Sequence, residues 1–214
     1  MIEDDLLLQK VLDLLETIPN EYTPTVQRKP YYNMGATLTD SILQAGMNYK
    51  NVVYPRVYNI LTKYANYTST CDFIILFQTI PIEKIIQWKN ISKQNTICKL
   101  AWFLYDNKIE NEDVLAQWLM RSNENAESLL QIKGVGRKTV DYLKLLSGLQ
   151  AIPIDRHMFQ FLKLAGIEAS CYEEVSIILK KAARCLKIEE SVLDKTIWNY
   201  MTTIDSDKLQ PLLL

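Results

Sequence analysis

The stretch from Leu129 to Phe161 reads LLQIKGVGRKTVDYLKLLSGLQAIPIDRHMFQF and decides the fold prediction. Two glycines, Gly134 and Gly136, stand between two segments whose apolar residues recur at helical spacing. The apolar residues are Leu129, Leu130 and Ile132 in the first segment and Val140, Leu143, Leu145 and Leu146 in the second. The pattern predicts two short helices joined by a tight hairpin.

The glycine turn of this hairpin is a candidate anion site. Glycine is needed where the backbone takes a positive φ or passes close to another group, and a helix that opens after Gly-x-Gly has outward-pointing N–H groups. Such a turn suits phosphate, and Arg137 and Lys138 follow it directly. We therefore expect Gly134, Val135, Gly136 and Arg137 to contact a nucleic-acid backbone. Plain turn chemistry without a ligand is the alternative.

Seventeen positions after Lys138, the lysine of the hairpin, the chain has an aspartate, Asp155. Asp155 ends the apolar link 151–154 and precedes an apolar helix predicted from Met158 to Leu164. An aspartate in this position is commonly a helix N-cap, and a lysine is commonly solvated or bound to phosphate. Spacing alone leaves these ordinary roles open for both residues.

The segments GVGRKT and IPIDRHMF together resemble the helix-hairpin-helix DNA glycosylase superfamily, and most closely its endonuclease III and 8-oxoguanine glycosylase branches. In those branches the lysine of G-V-G-x-K is the nucleophile and the aspartate of V-D-x-H is its acidic partner. The resemblance therefore assigns catalysis to Lys138 and Asp155. It covers about residues 37 to 200 and implies a base that is flipped out of the duplex and released through a Schiff base on the lysine.

Two further residues are expected at the DNA. Gln44, in LTDSILQAG, resembles the glutamine of the family's L-S-x-Q segment, which enters the space left by the flipped base; an ordinary surface glutamine is the alternative. Arg156 follows Asp155 directly and adds a cation there. His157 is the only histidine of the chain, and we expect it to hydrogen-bond within the helix start, because one histidine cannot build a metal site.

The charge distribution agrees with DNA binding better than the total charge does. A net charge of −1 and a pI near 5.9 do not by themselves suggest nucleic acid. Between Gln131 and Lys163, however, six Lys and Arg stand against two Asp, whereas the first 21 residues carry six acidic residues and one lysine. A positive binding face can therefore exist on a protein that is slightly acidic.

The four cysteines, Cys71, Cys98, Cys171 and Cys185, contain no CxxC pair. We therefore expect no zinc or iron–sulfur cluster, no other cofactor, and buried apolar thiols. Many relatives of endonuclease III carry four closely spaced cysteines after the aspartate motif to hold a [4Fe–4S] cluster. Only two cysteines follow Asp155 here, so the chain departs from that pattern.

Apolar periodicity along the rest of the chain predicts helices throughout, so the expected fold class is all-α. The segment Phe73 to Phe77 could be a buried strand, but no partner strand is evident and we predict a helix. A single mixed helical array is one possible architecture. The resemblance implies instead a central domain over 34–149 that ends in the hairpin, and a second domain formed by 1–33 plus 150–214. The active-site cleft, with Lys138 and Asp155 on either side, would lie between them.

We predict a DNA glycosylase of base-excision repair with associated lyase activity, acting as a monomer on double-stranded DNA that contains a damaged or mismatched base. A water-using glycosylase and a non-catalytic helix-hairpin-helix DNA-binding protein are the alternatives. Lysine-bearing members of this superfamily commonly act on oxidised bases, so we favour an oxidised base as the substrate. No apolar run has the length of a membrane span and the first residues are acidic, so we expect an intracellular protein, cytoplasmic at the nucleoid or nuclear.

Overall fold

The computed structural model describes residues 2–25 and 28–207, and all regular structure in these residues is helical, without a strand. The α-helices of this part of the chain are α1 (Ile2–Glu16), α2 (Met34–Leu43), α3 (Tyr54–Lys63), α4 (Thr70–Thr79), α5 (Ile82–Ile86), α6 (Ile91–Asp106), α7 (Glu112–Arg121), α8 (Asn123–Leu129), α9 (Arg137–Leu146), α10 (Arg156–Leu164), α11 (Tyr172–Leu186) and α12 (Glu190–Asp207). A 3-10 turn covers Asn20–Tyr22 and a π-helical turn covers Tyr49–Val53. The all-α prediction is confirmed.

The chain divides into two compact units. The central unit is Arg28–Leu149, and the terminal unit combines Met1–Gln27 with Gln150–Leu214. The first boundary lies six residues before the predicted one, because Arg28 hydrogen-bonds to Tyr31, Asp40 and Tyr142 and so attaches residues 28–33 to the central unit. The cleft expected between the two domains stays a prediction.

Helix α2 is the core of the central unit, and all ten of its residues are buried. It packs against α3, α4, α6 and α9. The side chain of Asn33 caps its start by accepting from the Ala36 N–H at 3.0 Å. Besides apolar side chains, α2 buries Thr37, Asp40 and two further hydroxyl residues, so it carries polar groups into the interior. Buried polar groups need partners, and those of Asp40 belong to the site described below.

The ambiguous apolar segment Phe73 to Phe77 is helical, as predicted, and lies in α4. Ser69 and Asp72 form a capping box at its start. Phe73, Ile74 and Leu76 are buried while Ile75 is 50% exposed, a pattern that a helix with one solvent-facing side produces.

The terminal unit has an apolar core of its own, formed by α1, α10, α11 and α12. Its fully buried residues include Val11 of α1, Phe161 of α10, Leu179 of α11 and Ile197 of α12. This core holds the start of α10, and therefore Asp155, on a rigid helix. No helix in the described part of the chain combines the length and the apolar character needed to cross a bilayer.

Two expectations about local structure are wrong. The first hairpin helix ends at Leu129, and Leu130 and Ile132 lie in the turn, because their N–H groups bond to carbonyls three residues back and tighten the backbone. The cysteines are not buried: Cys185 is exposed and the other three are half-buried, because none of them belongs to the two apolar cores. All four are free thiols.

Candidate active site

The hairpin turn is shaped by Gly134. Its φ of +97° is a conformation that side-chain-bearing residues rarely adopt, and a Cβ there would stand 2.5 Å from Thr96 Oγ1. Thr96 donates a hydrogen bond to the carbonyl of Lys133 at 3.0 Å and so ties α6 to the turn. Both reasons for a glycine, a positive φ and a close approach, therefore hold at Gly134. Val135 is buried in the central core, which leaves its backbone as the part able to contact a ligand.

Helix α9 begins directly after the turn, with Gly136 as its N-cap. Gly136 has an ordinary φ of −115°, has no atom within 4 Å of the position of a Cβ, and supplies no side-chain cap hydrogen bond. A helix start of this kind carries the positive end of the helix dipole without a capping side chain. Arg137 is exposed and Lys138 is half-buried in the first turn. The arrangement suits a phosphate beside an amine that is partly shielded from water.

A second lysine, Lys93 of α6, lies near Lys138. Its Nζ donates to the carbonyls of Ile42, Leu43 and Ala45 at 3.0, 3.2 and 2.9 Å, which closes the C-terminal end of α2. Burial and, after it, the positive charge of Lys138 lower the pKa of Lys93. Loss of the Lys93 proton relieves the repulsion between the two ammonium groups.

Gln44 is the C-cap of α2 and lies at this same end of the helix. Its side chain is half-buried, and its Nε2 is a buried donor without a hydrogen-bond partner in the described residues. An unused buried donor costs free energy unless a ligand accepts from it. This position fits the predicted entry of Gln44 into the DNA, which stays a prediction.

A cluster of polar side chains lies next to these residues in the central unit. It consists of Arg28, Tyr31, Asp40, Tyr49 and Tyr142, and we call it the Arg28 cluster. Arg28 Nη2 donates to Asp40 Oδ2 at 2.6 Å and to the Tyr31 hydroxyl at 2.8 Å, and its Nη1 donates to the Tyr142 hydroxyl at 2.7 Å. Tyr31 also donates to Asp40 Oδ2 at 2.6 Å, and its hydroxyl lies 3.1 Å from that of Tyr49. The network joins three separate parts of the central unit around one carboxylate.

Burial controls the protonation of this cluster. It raises the pKa of Asp40, although the Arg28 guanidinium and the Tyr31 hydroxyl oppose the shift by stabilising the carboxylate. Burial also raises the pKa values of Tyr31, Tyr49 and Tyr142, so these phenols stay protonated. The pKa of Arg28 is raised despite its burial, because Tyr142 and Asp40 favour its charged form. Arg28 is therefore a permanent cation at this face.

The Arg28 cluster and Lys138 are neighbours along α9. Lys138 and Tyr142 are four residues apart in this helix and lie on one face of it. On α2, Asp40 and Gln44 have the same spacing. Helices α2 and α9 pack together, with Asp40 linked through Arg28 to Tyr142 and the C-terminal end of α2 near Lys138. The two helices are thus antiparallel, and Lys138, Gln44, Lys93 and the Arg28 cluster share one region of the central unit.

The remaining predicted residues belong to the terminal unit. Asp155 is the N-cap of α10, and its Oδ1 accepts from the His157 N–H at 2.9 Å. The carboxylate keeps 17% of its side-chain surface exposed, and the His157 ring nitrogen Nδ1 lies 3.3 Å from it. A carboxylate at a helix N-terminus is stabilised in its ionised form. Arg156 is exposed in the first turn. The hydrogen bond at the helix start is donated by the backbone of His157, so a role of the His157 side chain there stays a prediction.

Sequence reasoning identified the hairpin but missed Arg28, Lys93 and the Arg28 cluster. One signal was present: Asp40 stands in the otherwise weakly polar run MGATLTDSIL, and a charge inside a buried helix needs a partner. Nothing in the sequence pointed to Arg28 as that partner. In the described part of the chain no group of three or more His, Cys, Asp or Glu side chains is placed to hold a metal ion.

Most of the residues of this site lie within the match to one known family model. The family model described as Domain of unknown function (DUF8548) matches residues 82–202. This range includes Lys93, the hairpin with Lys138, and Asp155, whereas Arg28, Asp40 and Gln44 precede it. No curated protein matches the chain.

Two solved structures resemble the chain over most of its length. The crystal structure of H. pylori 3-methyladenine DNA glycosylase (MagIII) bound to 1,N6-ethenoadenine has a TM-score of 0.57 and 20% identity, covering 95% of this chain and 97% of that one. A trapped endonuclease III–DNA covalent intermediate, an estranged-adenine complex, has a TM-score of 0.51 and 20% identity, covering 89% and 80%. These likenesses establish the fold, which is the helical fold of the helix-hairpin-helix DNA glycosylases.

Proposed function

We propose that this chain, which belongs to the family described as Domain of unknown function (DUF8548), is a DNA glycosylase of base-excision repair with associated lyase activity. One observation carries the proposal: Lys138 stands half-buried in the first turn of a helix that opens after a glycine turn without a side-chain cap, in a fold shared with two DNA glycosylase structures. An anion site and an amine are thereby placed side by side, as attack on a sugar next to a phosphate requires.

The substrate is double-stranded DNA that contains a damaged or mismatched base. The base leaves the stack and enters the region of Lys138, and Gln44 occupies the space that the base has left. The glycine turn, through Gly134, Val135 and Gly136, binds the DNA backbone together with Arg137, and Arg156 adds a cation from the terminal unit. Their peptide N–H groups and charges fix the sugar that carries the damaged base.

In the chemical step, the neutral amine of Lys138 attacks C1′ of the sugar, the bond from C1′ to the base breaks, and the base departs with the bonding electrons and takes up a proton. The sugar ring then opens to a Schiff base between C1′ and Nζ, from which elimination of the 3′ phosphate breaks the strand. Asp155 stabilises the positive charge that develops on the sugar, since its carboxylate is held ionised at the start of α10.

A second amine stands near Lys138 at the proposed active site. Lys93 is fixed by three carbonyls, and burial and then the positive charge of Lys138 lower the pKa of Lys93. Both catalytic groups come from one chain, and we propose that the protein acts as a monomer. Because the proposed substrate is DNA, we propose that the protein acts inside the cell, at the nucleoid or in the nucleus.

Borohydride trapping tests the proposal. Duplexes with an abasic site, 8-oxoguanine, thymine glycol or uracil are incubated with the wild type, with Lys138→Ala and, as a matched control, with Lys133→Ala, which removes an exposed lysine from the same hairpin. We expect a covalent complex with the wild type and with the control, and none with Lys138→Ala, because only the Schiff base is reduced to a permanent cross-link.

Two other results would contradict the lyase. Base release without any cross-link would indicate a glycosylase that uses water, activated by Asp155. Binding to DNA without release or cross-link on any duplex would indicate a non-catalytic helix-hairpin-helix protein.

A further inference from the structure

Arg28 occupies a cage of aromatic rings beside Lys138. Its guanidinium carbon lies 5.5 Å from the ring centroid of Tyr31, 6.0 Å from that of Tyr49 and 5.1 Å from that of Tyr142. Such contacts between a planar cation and aromatic faces are attractive. Together with the three hydrogen bonds of Arg28 they fix the position and orientation of its planar group.

The guanidinium retains hydrogen-bonding capacity. It carries five N–H groups, and the bonds to Asp40, Tyr31 and Tyr142 use three of them. Among the described residues, 2–25 and 28–207, the Tyr49 hydroxyl is one further acceptor close to Arg28, so at least one of the two remaining N–H groups is unused. About a third of the side chain, 34%, is exposed, whereas the Asp40 side chain is fully buried. Of this ion pair only Arg28 reaches the surface, and it keeps at least one unused donor.

This surface belongs to the region in which the proposed substrate base is received. Tyr142 lies one helical turn after Lys138 on α9, and Asp40 lies one turn before Gln44 on α2. A base bound next to Lys138 and Gln44 therefore meets the exposed edge of Arg28 and the rings of the tyrosines around it. Aromatic walls with a few fixed polar groups are the usual composition of a pocket that selects a planar ligand.

We propose that Arg28 selects the base, accepting neutral bases that carry a carbonyl oxygen on the edge facing it, such as oxidised or deaminated bases, and rejecting positively charged N-alkylated purines. The inference rests on the function proposed above. A carbonyl oxygen accepts from an unused donor of Arg28, whereas a positively charged purine, with or without a carbonyl, meets a like charge.

The selection differs from the substrate named for the H. pylori protein of similar fold, a 3-methyladenine DNA glycosylase. Asp40 has a supporting part in it. Fully buried behind the guanidinium, it holds Arg28 in place and keeps it charged without contacting the base. The preference for neutral bases thus depends on an ion pair in which the cation contacts the ligand and the anion does not.

The test measures single-turnover release of uracil, 8-oxoguanine, thymine glycol and 7-methylguanine by the full chain, each divided by the rate of cross-linking on an abasic duplex. The variants are Arg28→Gln, Arg28→Lys and the control Lys29→Gln, which removes an exposed cation from the neighbouring position. We expect Arg28→Gln to lower the ratio for the neutral base that the wild type prefers by about tenfold or more, and to raise the ratio for the positively charged 7-methylguanine. Lys29→Gln is expected to change neither ratio.

Arg28→Lys keeps the positive charge and loses the planar donors. It is expected to lower release of the preferred neutral base while still rejecting 7-methylguanine. If Arg28→Gln does not fold, as judged by circular dichroism, Arg28→Lys alone provides the test. A wild type that releases 7-methylguanine faster than each of the neutral bases, or ratios unchanged in a folded Arg28 variant, would overturn the inference. A wild type without cross-linking or release on any duplex would instead overturn the proposed function.

Discussion

Helices α9 and α10 carry the two proposed catalytic residues and begin in opposite ways. Helix α9 starts after Gly136, which has no side chain to cap it, whereas α10 starts at Asp155, whose own carboxylate accepts from the His157 N–H. The first start can take an anion from outside, and the second is already occupied by an anion from the protein. The difference suits the start of α9 to the phosphate that we propose it binds, and the start of α10 to a fixed negative charge.

The surroundings of the two starts differ as well. Around α9 lie Lys93, the Arg28 cluster and the unpartnered Nε2 of Gln44, so the central unit keeps polar groups in and near its core. Around α10 the core of the terminal unit is apolar. The two helix starts therefore lie in surroundings of opposite polarity.

The largest expected effect separates the two possible roles of Asp155. Asp155→Asn keeps a good N-cap but removes the charge, and we expect base release to fall by about 10²–10³ with little change in stability. Asp155→Ala removes both, and should in addition lose about 1 kcal/mol of the free energy of unfolding. Single-turnover base release and urea denaturation measure the two quantities. Full activity in Asp155→Asn would show that Asp155 acts only as the N-cap of α10.

The next effect tests the start of α9 by comparing its two glycines. Gly134→Ala forces a Cβ toward Thr96 Oγ1 at a φ of +97°, and we expect it to cost about 1–3 kcal/mol of the free energy of unfolding. Gly136→Ala meets no atom within 4 Å at an ordinary φ and should change stability by less than about 0.5 kcal/mol. Urea denaturation of both variants provides the measurement. Equal losses would show that the close packing of the turn on α6 is not what requires Gly134.

The smallest effect concerns pH and the phenols next to α9. Burial raises the pKa values of Tyr31, Tyr49 and Tyr142 above their ordinary value, which is near 10. Above about pH 10 the unfolded chain therefore loses protons that the folded chain keeps, so the free energy of unfolding should fall as pH rises. We expect Tyr31→Phe to make this fall less steep, as measured by urea denaturation between pH 9 and 11. Tyr67→Phe, at a 38% exposed position outside the Arg28 cluster, is the control and should leave the slope unchanged.

The helical content and the hairpin were predictable from the sequence because their causes are local. Apolar residues at helical spacing mark α9 and α10, and the glycines of GVG mark the turn between α8 and α9. The predicted end of α8 lay too far along the chain. Leu130 and Ile132 are apolar and continue the helical pattern, although they lie in the turn. The burial of the cysteines was predicted wrongly because composition gives the number of apolar residues but not which edge of a helix faces water.

The sequence by itself determined that the protein is all-helical, that a Gly-x-Gly turn followed by two cations opens α9, and that an aspartate caps α10, because each feature depends on residues within one or two helical turns. Only the tertiary structure decided what surrounds Lys138. Arg28 and Tyr142 are 114 residues apart in the chain, and Lys93 is 51 residues from the carbonyl of Ile42. Contacts over such separations arise from the packing of α2 against α6 and α9, which no local pattern encodes.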